Sequence, residues 1–151
     1  MISTLRALER IQRIDLEIKA VEDEERRLVN TIQELSLEIK AGAVALAVVE
    51  ADSEALKTQI RELSEKIRES SERATKDEKR LNSVKNDREL NAITKEINGA
   101  NKSKKLGEQE KNALQAKCDE KDALINAKLE ALKTREEELK RLSAELEASR
   151  S

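Results

Sequence analysis

The sequence predicts an all-α protein, a long antiparallel coiled-coil hairpin. Three observations lead to this fold class. Of the 151 residues, 41% are charged and none is aromatic. Apolar residues recur in alternating steps of three and four, and this frame changes once, near Asn86. Since Leu, Ile, Val and Ala supply almost all of the apolar residues, the composition is typical of long helices that bury only a narrow stripe.

The first helical arm is expected over about residues 3–84. Counting from Ile11 in alternating steps of three and four residues gives 22 positions up to Val84, and we call these positions slots. Of the 22 slots, 17 are apolar. This heptad repeat indicates a coiled-coil seam and argues against disorder. The slots that break the pattern are Glu25, Gly42, Ser53, Ser70 and Asp77.

The turn is expected at about residues 85–88, although the segment contains neither Gly nor Pro. The next five slots of the first frame after Val84, from Arg88 to Lys102, are all polar, and a second apolar frame begins two residues after Arg88, at Leu90. Two residues rotate a helix by about 200°, so one straight helix would carry its two stripes on nearly opposite sides. A chain reversal lets the stripes face each other, with facing residue numbers that add to about 172.

Asn86 suits the N-cap of the second helix, and Glu89 stands three residues later in the capping-box position. The alternative is a local bulge in one straight helix of a parallel dimer.

The second arm, about residues 89–148, has a less regular seam. Six of its 17 slots hold a basic residue or glycine, and lysine stems can lie along such a seam while their charges reach water. Cys118 occupies an apolar slot, so we expect a buried structural thiol and no nucleophile. The six irregular slots are Lys104, Gly107, Lys111, Lys121, Lys128 and Arg135.

One stretch of the first arm, residues 41–49, is apolar around most of the helix. Its small residues would let another helix approach closely, which predicts a helix-packing patch for a dimer or a partner. The alternative is a locally thicker seam opposite Leu129 and Leu132. The patch consists of Ala41, Gly42, Ala43, Val44, Ala45, Leu46, Ala47, Val48 and Val49.

No enzyme or cofactor site is expected in this chain. With no His and no Tyr, the general acids and bases reduce to carboxylates and lysines scattered over solvated helical faces. One Cys without His offers no transition-metal site, and the three glycines stand apart, unlike a phosphate-binding loop. No run of about 18 apolar residues and no secretory signal are present, so a cytoplasmic protein without a membrane segment is expected.

Charge is unevenly distributed along the sequence. Residues 73–105 carry ten basic and five acidic side chains, net +5, whereas residues 1–72 are net −5 and residues 106–151 net −2. A hairpin would gather the positive segment at its turn, where it could attract an acidic protein surface or a nucleic acid. Since aromatic residues are missing, RNA binding would be electrostatic and salt-sensitive. The predicted basic tip consists of Arg73, Lys76, Lys79, Arg80, Lys85, Arg88, Lys95, Lys102, Lys104 and Lys105.

The hinge "VKNDRELNAITKEI", residues 84–97, resembles that of a bacterial family in which a long coiled-coil hairpin precedes a C-terminal four-cysteine zinc ribbon. The resemblance implies a chaperone-like adaptor that binds the sigma-54 transcription factor or components of flagellar or type III secretion assembly, with RNA contact also known in the family. This chain has no CxxC pair, so zinc is expected only if a ribbon follows in the natural protein. The alternatives are a structural, homodimerising rod and an electrostatic RNA-binding arm. The matching hinge residues are Glu89, Leu90, Ala92, Glu96 and Ile97.

Overall fold

The computed structural model describes every residue from Met1 to Ser151 and contains two long helices. Helix α1 spans Ile2–Arg80, a single 3₁₀ turn spans Leu81–Ser83, and helix α2 spans Asp87–Arg150. The two helices pack antiparallel with their apolar stripes facing each other. The predicted coiled-coil hairpin is therefore confirmed, and the chain is not one straight helix.

The reversal is built by a cap, as the sequence predicts. Val84 is extended (φ −68°, ψ 130°) and ends the 3₁₀ turn. The Asn86 side-chain oxygen accepts a hydrogen bond from the Glu89 N–H at 2.9 Å, while the Glu89 carboxylate accepts one from the Lys85 N–H at 3.1 Å. Glu89 thus reaches one residue further back than in the usual capping box, in which it would bind the N-cap N–H. Asp87 and Glu89 also place negative charge in the first turn of α2, where the helix dipole favours it.

The first predicted frame is the seam of α1 from Glu25 onward. Every slot from Glu25 to Val84 is buried or half-buried, including those that break the apolar pattern. Ser53, Ser70 and Asp77 are among the most buried polar residues of the chain, at 1%, 7% and 6% exposure. The five residues that interrupt the apolar pattern therefore lie within the contact between α1 and α2, and the helix does not turn away there.

The second frame is the seam of α2. Ile93, Ala100, Cys118 and other slots are buried, and the four seam lysines are half-buried, as expected for stems that lie along an apolar contact. Only Leu90 and Arg135, of the slots between residues 90 and 146, are exposed.

The chain divides into two compact units. The terminal unit comprises Met1–Leu46 with Ala127–Ser151, and the turn unit comprises Ala47–Asn126. In the terminal unit, Gly42 lies against Leu132. In the turn unit, Gly107 lies against Ile67. In both pairs the residue numbers add to 174, close to the expected sum of about 172.

The beginning of α1 corrects one expectation. Ile11, Ile14, Ile18 and Val21 were expected to lie in the seam of the hairpin, yet their exposed fractions are 51–58%. Helix α1 has 79 residues and α2 has 64, and the last residue of α2, Arg150, binds Glu25 at 2.6 Å. These four residues precede Glu25, which lies beside the last helical residue of α2 in the described chain.

Candidate protein-interaction surfaces

The residues of the predicted basic tip lie on both helices of the turn unit. The C-terminal end of α1 and the N-terminal end of α2 meet at the cap on Asn86, so cations from both helices surround one reversal. Nine of the ten predicted tip residues are exposed, and only Lys104 is half-buried, in its seam slot. These side chains are therefore accessible to solvent on both helices of the turn unit.

Arg80 differs from the other tip residues because it is already paired. Its guanidinium lies 3.4 Å from the Asp77 carboxylate and 3.7 Å from that of Glu96. Asp77 occupies a seam slot and its side chain is only 8% exposed. Arg80 therefore supplies the positive charge that a buried carboxylate needs. We assign Arg80 a structural role, whereas no carboxylate lies within 4 Å of the nine other tip cations.

A shallow depression of about 330 Å³ lies at the reversal. Val84, Ala92 and Ile93 form its apolar part, and Glu89 and Glu96 line it as well. The tip thus combines exposed cationic side chains with a small apolar recess.

The patch at residues 41–49 is divided between a covered and an uncovered side. In the terminal unit, Leu46 is buried and Gly42 half-buried, whereas Val44 is 68% exposed. In the turn unit, Val49 is buried and Val48 is 58% exposed. The covered residues belong to the seam, and the valines at positions 44 and 48 are exposed to solvent. Ala41, Ala43 and Ala47 are exposed with them, and Ala45 is half-buried.

A polar cluster inside the seam of the turn unit was not predicted. The Ser53 hydroxyl donates a hydrogen bond to the Asp122 carboxylate at 2.7 Å, and the Cys118 sulfur lies 3.9 Å from the Ser53 oxygen. Cys118 is 1% exposed, as expected for a structural thiol. Lys57, 3.8 Å from Asp122, adds a positive charge at the edge of the cluster. The sequence did contain a signal for this cluster, because Ser53 and Cys118 occupy slots of the two frames that face each other.

The exposed start of α1 was also missed. The signal lay in the predicted arm lengths, since an arm of residues 3–84 is longer than one of residues 89–148.

The carboxyls of Glu65 and Glu138 have pKa values below their ordinary range, because Arg68 and Arg141 donate hydrogen bonds to them from three residues away. Both pairs are exposed on helix surfaces. Their geometry is that of ordinary helix-stabilising ion pairs and indicates no reactive group.

No set of three or more acidic or cysteine side chains is arranged to hold a metal ion. Neither helix contains a segment long and apolar enough to cross a membrane. Comparison with protein-family models, with curated proteins and with solved structures found no match to this chain.

Proposed function

We propose that this protein is a non-enzymatic coiled-coil adaptor that binds an acidic protein surface through its basic tip. The observation that supports this proposal is the set of nine cations without carboxylate partners around the reversal of the turn unit. Unpaired, solvated charges attract an oppositely charged surface at long range without first breaking an internal ion pair.

The resemblance of the hinge to zinc-ribbon hairpin proteins suggests the kind of partner. On that basis we propose a chaperone-like role in the bacterial cytoplasm, with sigma-54 or a flagellar or type III secretion component as the bound protein. A zinc ion would belong to a ribbon outside the residues described here, and the hairpin itself would act without a cofactor.

The test begins with capture of partners from a bacterial lysate by the intact chain. Binding of the recovered partner is then measured directly with a tip-reversal variant, Lys76→Glu, Lys85→Glu and Arg88→Glu. Arg80 is left unchanged because of its pair with Asp77. We expect affinity to fall at least about tenfold, and the wild-type affinity to fall as salt shortens the screening length below about 10 Å.

The matched control reverses three exposed, unpaired lysines of the terminal unit, Lys40, Lys133 and Lys140, to Glu. It changes the net charge by the same amount and should retain the partner. An equal loss in both variants would show that overall charge, and not the tip, governs binding. Unchanged affinity of the tip-reversal variant would refute the proposal. Binding that disappears with ribonuclease would assign the tip to RNA instead.

A further inference from the structure

A continuous groove runs between α1 and α2 along one side of the turn unit. It consists of three depressions in a row, of about 330, 600 and 390 Å³, which begin at the reversal. Arg80 and Glu96 line both the first and the second depression. Arg73 and Ser103 line both the second and the third. Because neighbouring depressions share residues of both helices, they form one surface, which we name the tip groove.

The two walls of the tip groove follow the coiled-coil repeat. Each wall residue directly precedes a seam slot, so the wall residues recur in the same alternating steps of three and four. The wall of α1 consists of Lys66, Glu69, Arg73, Lys76, Arg80 and Ser83. The wall of α2 consists of Ala92, Glu96, Gly99, Ser103, Leu106 and Glu110. A straight groove with this repeat, roughly 25 Å long at 1.5 Å per residue, has the dimensions of a site for a third α-helix.

The wall of α2 leaves space for such a helix. A Cβ added at Gly99 would meet no atom within 4 Å, so the central part of the groove is open above this residue. Ala100, which is 7% exposed, contributes to the floor beside it. Leu106 is apolar and 55% exposed. A helix in the groove would therefore approach α2 closely at Gly99 and cover the side chain of Leu106.

The wall of α1 supplies free positive charge. Arg73 and Lys76 line the central depression, are exposed and take part in no ion pair. The third cation of this depression, Arg80, lies 3.4 Å from Asp77 and 3.7 Å from Glu96, which are its only two acids. The charges of these two acids are thus offset by Arg80, and Arg73 and Lys76 remain without partners.

We propose that the tip groove binds an acidic amphipathic helix of the partner protein as a third helix beside α1 and α2. Carboxylates of this helix would pair with Arg73 and Lys76, and its apolar side chains would pack over Gly99 and Leu106. Charge complementarity selects the occupant, because a basic helix would be repelled by the two free cations at the centre of the groove. The inference rests on the proposed function of the basic tip and specifies where on the tip the partner lies and in which conformation.

The first test uses a synthetic probe and the intact chain. The probe is a fluorescent, stapled helical peptide of three heptads, with Leu and Ala at its seam positions and Glu at the flanking positions. Fluorescence anisotropy should show binding that weakens as salt is added. The matched probe carries Lys in place of every Glu, and its affinity should be lower by at least about tenfold. Equal binding of the two peptides, or no binding of the acidic one, would overturn the proposal.

The second test closes the groove without changing charge. Gly99→Gln places a long side chain in the open space and should weaken binding of the acidic peptide at least about tenfold, because the third helix can no longer approach. The matched control is Ala116→Gln, at an exposed position of α2 two residues after the seam slot Leu114 and so about 200° around the helix from it. Circular dichroism should show both variants folded, since an added Cβ at residue 99 meets no other atom.

Disulfide trapping, with Cys118 replaced by Ser, locates the bound peptide. A cysteine at the centre of the acidic peptide should link to Ser103→Cys, which lies on the groove wall. The matched variant Asn101→Cys lies two residues away on the other side of α2 and should link at least about tenfold more slowly. Equal linking of the two variants would overturn the assigned position.

A last comparison separates this inference from the proposed function. Lys85→Glu with Arg88→Glu alters the cations at the reversal and leaves the groove walls intact. If this double variant loses the acidic peptide while Gly99→Gln retains it, the groove is refuted and the tip stands. If Gly99→Gln alone loses the peptide, the groove stands and the cations at the reversal are not required. Self-association of the wild-type chain that Gly99→Gln abolishes, measured by sedimentation equilibrium, would assign the groove to a second copy and overturn the proposal.

Discussion

Replacing each of the three glycines by Ala should have three different effects on stability, although all three lie inside helices. An Ala in a helix interior is favoured over Gly by about 1 kcal/mol. At Gly99 an added Cβ meets no atom within 4 Å, so Gly99→Ala should stabilise the fold by nearly that amount. At the other two glycines the opposite helix is too close for the added atom.

At Gly107 the added Cβ would lie 2.9 Å from Cγ1 of Ile67. That atom is next to the branch point of a side chain with a restricted χ1 angle, so the helices would have to move apart. Such overpacking costs about 1–3 kcal/mol, which exceeds the gain in helix propensity. We expect Gly107→Ala to destabilise the fold by up to about 2 kcal/mol.

At Gly42 the contact is 2.8 Å to Cδ2 of Leu132. That methyl is the end of a flexible side chain, which can rotate away at a cost of about 0.5–1.5 kcal/mol. The gain and the cost nearly cancel, so Gly42→Ala should be close to neutral.

Urea denaturation followed by circular dichroism at the helical band measures these differences. The expected order of midpoints is Gly99→Ala above wild type, Gly42→Ala near it and Gly107→Ala below it. Gly99 and Gly107 provide the sharpest comparison, because both are on α2 in the turn unit and undergo the same change. Equal stabilisation by Gly99→Ala and Gly107→Ala would refute the close approach of the two helices at Ile67.

Three further predictions concern the cap, the buried anion and metal. Asn86→Ala should lower the free energy of unfolding by about 1 kcal/mol, because the N-cap hydrogen bond is lost. Asn86→Asp should retain most of the stabilisation by the cap, and thermal melting measures both effects. Arg80→Ala should cost about 1–2 kcal/mol because Asp77 loses its partner, whereas Lys79→Ala, next to it and unpaired, should stay within about 0.5 kcal/mol. Equal effects of the two would argue against the structural role of Arg80. A zinc chelator should leave the helical circular dichroism unchanged, and a loss of signal would reveal a metal site that supports folding.

The local features of the fold could be predicted from the sequence. The two apolar frames, the change between them and the cap at Asn86 depend on residues close together in the chain, so helix geometry and capping chemistry are enough to find them. The burial of Cys118 followed from its slot in the second frame. The basic tip is a prediction of the same kind, because a reversal at a known position brings the charges on both sides of it towards one end of the hairpin.

The sequence by itself thus determined two helices, their facing stripes and the place of the reversal. Only the tertiary structure decided which side chains form hydrogen bonds and ion pairs between α1 and α2. It buried Asp77 beneath Arg80 and joined Ser53 to Asp122. The physical reason is that a heptad pattern shows which face of a helix is buried. Which side chains pair across the contact depends on the register of the opposite helix and on how closely the two helices approach.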